Sequence, residues 1–224
     1  MSDLGTAFSA PFKDPDWAAK FLVGGIVVLS CITGLGFFVL AGYYIELTRR
    51  VMRREQYPLP EWTDLGVKFI TGVKYAAVIL LYILPVVLLA VPMVVLMVLT
   101  TMSDPGGTPG ILASIYLFAY VLLVVPYSIL LMLLTPIIAY RFAERESIAH
   151  ALDVSAIFRI FTRNWESTLV VALVGAGIES LAGLGVFGLF IGIFFTIFYT
   201  YLVAAFLHGL LYLDHQKSQE AVPA

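Results

Sequence analysis

The chain has 224 residues, 61% of them hydrophobic and only 12% charged. A water-soluble domain needs more polar side chains to cover its surface, so the composition predicts an integral membrane protein. A net charge of −2 argues against nucleic acid, which wants a basic face, and a lone cysteine, Cys31, excludes an internal disulfide and any multi-cysteine metal site.

At the N-terminus, Asp3, Asp14 and Asp16 stand against Lys13 and Lys20. A cleaved signal peptide needs a positive start and a short apolar run, so residues 1–20 read instead as an interfacial arm. Residues 21–45 are free of charge and allow two readings. One is a single helix over 21–45 with the N-terminus outside. The other rests on an internal echo. "FKDPDWAAKFLVGGIVVLSCITGLGFF" (12–38) resembles "FTRNWESTLVVALVGAGIESLAGLGVF" (161–187). If both copies enter from the cytoplasm after a tryptophan and turn at Gly-Leu-Gly, residues 12–54 form a helical hairpin turning near Gly34–Gly36. The hairpin is the preferred reading.

Next comes "GYYIELTRRVMRREQYPLPEW" (42–62), with Arg49, Arg50, Arg53 and Arg54 at a helix exit. Such a cluster anchors topology and meets anionic lipid headgroups; a specific phosphate site is the lesser reading. Pro58 and Pro60 end the helix, and Trp62 is expected at the membrane interface with Tyr57. Two uncharged stretches, 75–103 and 105–140, then supply one spanning helix each, since roughly 20 apolar residues suffice. Pro85 and Pro92 fall in the first and Pro126 and Pro136 in the second. Their missing backbone donors predict broken helices, a device transporters use at the bilayer midplane.

The connection 141–166 carries Val154, Ile157, Phe158 and Phe161 at helical spacing, which predicts an amphipathic surface helix over 146–163. Residues 167–213 hold only Glu179 and His208 among titratable acids and histidines and are long enough for two helices. Gly188, Gly192, Thr196, Thr200 and Ala204 are small residues spaced by four, a helix-packing stripe. Ala172, Ala176 and Ser180 carry the same theme on the helix before. Residues 214–224 read as a flexible tail. Basic residues cluster in 46–74, in 141–166 and at Lys217, but are absent from 102–110 and 181–188, so 102–110 is expected outside. Basic loops stay inside, so the C-terminus is expected in the cytoplasm of a multi-pass cell-membrane protein.

Candidate chemistry is sparse. Glu179 is an acid within an apolar stretch, and intramembrane acids are costly unless they serve a purpose. A proton relay would pair His208 with Glu46, the acid at similar depth, while Glu179 is expected near the opposite face as a separate possible polar site. His150, His208 and His215 are too scattered for a metal cluster, and no nucleophile–base spacing or paired-carboxylate pattern occurs. No cofactor, metal or enzymatic activity is expected.

Several segments occur together in one order: "PFKDPDWAAKFLVGG" (11–25), "GYYIELTRRV" (42–51), "LPEW" (59–62), "FITGVKY" (69–75), "YRFAERESIAHAL" (140–152) and "HGLLY" (208–212). In this the chain resembles the DUF4013 family of prokaryotic multi-pass membrane proteins. The resemblance implies a membrane protein of bacterial or archaeal origin and supplies no catalytic residue. The sequence thus predicts one all-α membrane domain over residues 1–224. It has five spanning helices, or six membrane segments with the hairpin, plus the amphipathic helix. The expected role is a structural or accessory membrane component that packs with itself, with lipid or with a larger complex. A small channel or transporter is the alternative.

Overall fold

The computed structural model describes residues 4–103, 110–182 and 191–220, and every regular element among them is helical. In chain order these are α1 (Leu4–Ser9), a 3-10 turn (Ala10–Lys13), α2 (Trp17–Ser30), a second 3-10 turn (Cys31–Thr33) and α3 (Leu35–Met52). Then follow α4 (Leu65–Ser103), α5 (Ile111–Arg145), α6 (Ile148–Ala151), α7 (Val154–Arg163), α8 (Trp165–Ala182) and α9 (Ile191–Glu220). Three helices, Leu65–Ser103, Ile111–Arg145 and Gly192–Ser218, are long and apolar enough to cross a membrane. A fourth span is reached if Gly5–Lys13 and Trp17–Thr33, bent by 103°, count as one broken helix.

The single helix over 21–45 does not form. The chain breaks at Cys31–Gly34, and Gly34 takes a left-handed φ of 82°. A side chain there would press on the following carbonyl, so glycine suits the turn. The Gly34 amide donates to the Cys31 carbonyl at 2.9 Å, and α3 then returns along α2. The outcome is a helical hairpin that starts at Trp17 and turns at Gly34. Its first arm has 14 residues, about 21 Å at 1.5 Å per residue.

The chain divides into two compact units, Met1–Ala77 with Leu133–Ala224, and Val78–Met132. In the first, α9 is the hub: α2, α3 and α8 all pack on it. Its core holds Tyr43, Ile45 and Leu47 of α3, Ile137, Ile138 and Phe142 of α5, and Phe198, Leu202 and Leu207 of α9. Where lipid tails are as apolar as the core, such contacts stabilise through close fit rather than through expelled water. Two α2 glycines make that fit: Gly24 lies under the ring of Phe198 and Gly25 under that of Phe195. On the other side of the hub, Gly209 meets Val51 of α3.

The second unit holds the distal part of α4 and the proximal part of α5. Within it, the Tyr116 hydroxyl donates to the Leu89 carbonyl at 2.9 Å and the Tyr127 hydroxyl to the Tyr82 carbonyl at 2.5 Å. Apolar side chains stand exposed along both segments, among them Leu88, Val94, Leu99, Phe118 and Leu122. Both helices run without interruption through Pro85, Pro92, Pro126 and Pro136, so the expected breaks are absent.

The segment 146–163 is two helices rather than one, because Asp153 interrupts it as an N-cap. Its carboxylate accepts the Ala156 amide at 3.1 Å and the Ser155 hydroxyl at 2.8 Å. Those two bonds, the amide first, hold its pKa below the ordinary aspartate value. On α7, Ala156 and Ile157 are buried while Val154 and Phe158 are exposed. Residues 214–220, expected as flexible tail, continue α9: Ser167 donates to the Asp214 carboxylate at 2.6 Å, and His215 is buried.

Candidate functional site: a charged cleft at the end of the hairpin

Glu46, Arg49, Arg50 and Arg53 stand at i, i+3, i+4 and i+7 on α3, so they share one face. Asp64, Val67, Lys68 and Thr71 repeat that spacing at the start of α4. The two stripes face each other across a cleft of about 400 Å³, closed by Gly42, Glu55, Thr63 and Glu146. The helices can face each other so closely because of a glycine crossing just beneath. A side chain on Gly42 would strike the Lys68 carbonyl, and one on Gly72 would strike the Phe38 carbonyl. Residue 38 meets 72 and residue 42 meets 68, the order antiparallel helices require.

This crossing brings the Lys68 ammonium to Glu46 at 2.8 Å, where Arg50 also reaches the same carboxylate at 2.7 Å. Lys68 is buried and donates in addition to the Thr63 carbonyl at 3.0 Å. Arg49 turns toward the end of α5, donating through Nε to the Ala143 carbonyl at 2.9 Å and pairing with Glu146. Arg50 has a longer approach to Glu55, 3.9 Å. The four arginines are therefore not one summed charge. Arg49 and Arg50 are built into the fold, while Arg53 and Arg54 are exposed.

The non-glycine residues at positive φ among those described are Arg54, Asp64 and Glu146, at 57°, 52° and 50°. Two of them line the cleft and the third adjoins it. Arg54 and Glu146 occupy the position just past a helix, where glycine is the usual and less strained choice. At Glu146 the charged side chain that replaces glycine holds Arg49.

The other expected site residues lie elsewhere. Trp62, expected at the interface, instead stacks on Tyr43 with ring centroids 4.2 Å apart, and its indole N–H donates to the Lys20 carbonyl at 2.8 Å. Glu46 sits in the cleft rather than beside His208. His208 is buried and pairs through Nδ1 with the Tyr44 hydroxyl. Glu179 is exposed on α8. Of the expected small-residue stripe, Gly188 lies outside the described residues. Thr196 and Thr200 turn hydroxyls back onto their own helix, to Gly192 at 2.9 Å and Ile197 at 2.7 Å, and Ala204 is half-buried. The close approaches to α9 are made by its neighbours' glycines against Phe195 and Phe198, and by Gly209. Among the described residues no group of three His, Cys, Asp or Glu side chains could hold a metal ion.

Two adjacent tyrosines give a sharp contrast. Tyr44 shares its hydroxyl with buried His208, whereas the Tyr43 hydroxyl is buried with no partner among the described residues. Tyr44→Phe should cost about 1–3 kcal/mol by leaving a buried imidazole nitrogen unsatisfied. Tyr43→Phe should be neutral or slightly stabilising. Thermal unfolding of the two variants in detergent checks this, and equal losses would refute it.

Among the described residues every regular element is helical, and three or four helices are long and apolar enough to cross a membrane, which suggests a membrane protein. The chain belongs to the family described as protein of unknown function (DUF4013), which matches residues 25–197. Comparison with curated proteins and with solved structures gives no match.

Proposed function

We propose that this protein is a non-enzymatic, multi-pass component of the cytoplasmic membrane that packs with itself, with lipid or with a larger membrane complex. The observation that carries this reading is the unit Val78–Met132, whose two helical segments expose apolar side chains along their lengths. Helices apolar all round belong in lipid or inside an assembly. The membrane segments are α2, α3, α4, α5, α8 and α9, with the N-terminus, the C-terminus and the charged cleft cytoplasmic. At 39 residues, about 58 Å, α4 exceeds a hydrocarbon core of about 30 Å, leaving length for Lys68 and Lys74 to stay in the cytoplasm. Exposed Arg54, Arg159 and Arg163 then meet anionic headgroups, and Val154, Phe158 and Trp165 offer apolar contacts at the same surface.

Topology has a direct test. In a Cys31→Ser background, a cysteine introduced by Ser9→Cys should resist an impermeant thiol reagent in intact cells and react after lysis. Labelling from outside would sink the six-segment arrangement. The transport alternative leaned on proline-broken helices, and α4 and α5 are continuous. Vesicles holding the purified protein should therefore be no more permeable to small ions than empty vesicles. Saturable or voltage-dependent flux that requires the protein would replace this proposal with a channel or transporter.

A further inference from the structure

The cleft between α3 and α4 carries four cations, Arg49, Arg50, Arg53 and Lys68, and four anions, Glu46, Glu55, Asp64 and Glu146. A site for a simple anion would leave the cations in excess. Here the interior charges satisfy one another: Lys68 and Arg50 take Glu46, and Arg49 takes Glu146. The exception lies at the mouth. Arg53 and Asp64 both line the cavity, both are exposed, and neither makes an ion pair with any described residue. Two opposite charges that share a cleft without neutralising each other are complementary to a ligand bearing both signs. Asp64 is also held at a φ of 52°, a conformation that non-glycine residues adopt at a cost and that recurs at binding sites.

We propose that this cleft binds a zwitterionic aminoalkyl phosphate, its phosphate on Arg53 with help from Arg50 and its ammonium on Asp64. Arg50 contributes although Glu46 already holds it, because a guanidinium has five donors and Glu46 uses one nitrogen. The same chemistry exists on an ethanolamine phospholipid headgroup and on a free phosphorylated amino alcohol. The site stands on the cleft's own residues and needs no particular membrane topology.

The test uses the full chain purified in detergent and in nanodiscs, with Arg53→Gln and Asp64→Asn as variants. Both side chains are exposed and bear no ion pair among the described residues, so both variants should fold like the parent. Free phosphoethanolamine should raise the thermal midpoint of the parent, and inorganic phosphate or ethanolamine alone should do so at least tenfold less potently. Each variant should lose roughly tenfold in apparent affinity, the scale of one charge-assisted contact. Asp64→Asn should erase the preference for phosphoethanolamine over phosphate. If the source is a lipid, phosphatidylethanolamine nanodiscs should stabilise the parent over phosphatidylglycerol ones, and Asp64→Asn should abolish the difference. The proposal is overturned if inorganic phosphate matches phosphoethanolamine, if Asp64→Asn leaves the preference intact, or if neither the soluble nor the lipid zwitterion stabilises the parent.

Discussion

Alanine at Gly42 or at Gly72 should destabilise the protein by about 3 kcal/mol or more, at or above the top of the range usual for overpacking. The reason lies in what the added methyl group meets. At Gly42 it runs into the Lys68 carbonyl, and at Gly72 into the Phe38 carbonyl. Both obstacles are helix backbone, so no side-chain rotation relieves them and the two helices must separate. Separation would also draw Lys68 away from Glu46 and open the cleft. Gly177→Ala is the control, since a Cβ at Gly177 meets nothing within 4 Å. There, in the interior of α8, alanine should be neutral or stabilise by up to about 1 kcal/mol through helix propensity. Thermal or denaturant unfolding in one detergent decides the matter. A Gly42→Ala variant as stable as Gly177→Ala would show that the crossing does not constrain the fold.

The hairpin is legible in the sequence through the echo between 12–38 and 161–187, which puts a turn at Gly34–Gly36. Gly34 must turn the chain, and the spacing from Trp17 to that glycine sets the arm length. The glycine crossing was not legible in the same way. Gly42 and Gly72 are visible as residues, but what each touches lies on another helix some thirty positions away, and nothing local names that partner. The small-residue stripe on α9 poses the same difficulty. Spacing by four marks small residues but not their partners, and the approaches visible on α9 are those of Phe195 and Phe198 over Gly25 and Gly24. For the cleft, the helical spacing of Glu46, Arg49, Arg50 and Arg53 was present from the start. It was masked because four arginines at a helix exit already have a sufficient explanation in lipid anchoring. Only the pairing of Arg49 and Arg50 inward, with Arg53 and Arg54 outward, separates structural charges from available ones.

The second large effect is expected at Lys20, and it explains why "PFKDPDWAAK" and "LPEW" belong together in one protein. Lys20 is buried, and its ammonium holds buried Asp14 at 2.9 Å, Glu61 at 2.7 Å and the Leu59 carbonyl at 3.1 Å. The Trp62 indole returns a hydrogen bond to the Lys20 carbonyl at 2.8 Å, so the start of α2 and the turn after α3 are locked from both sides. Lys20→Met keeps an unbranched side chain one atom shorter and removes the charge. Asp14 then remains a carboxylate with 3% of its surface exposed and the Asp16 amide as its remaining donor among the described residues. Leaving one member of a buried pair uncompensated costs about 3–5 kcal/mol. The reverse change should be milder. Asp14→Asn leaves Lys20 with Glu61 and the Leu59 carbonyl, so the lysine stays compensated. Asp14→Asn placed in the Lys20→Met background should recover part of the stability lost, because the stranded charge is gone. A double-mutant cycle by denaturant unfolding in detergent measures this asymmetry. If Lys20→Met and Asp14→Asn cost the same, or if the double variant is as unstable as the sum of the two, the lock is not electrostatic and the aromatic stacking of Trp62 on Tyr43 holds that corner instead.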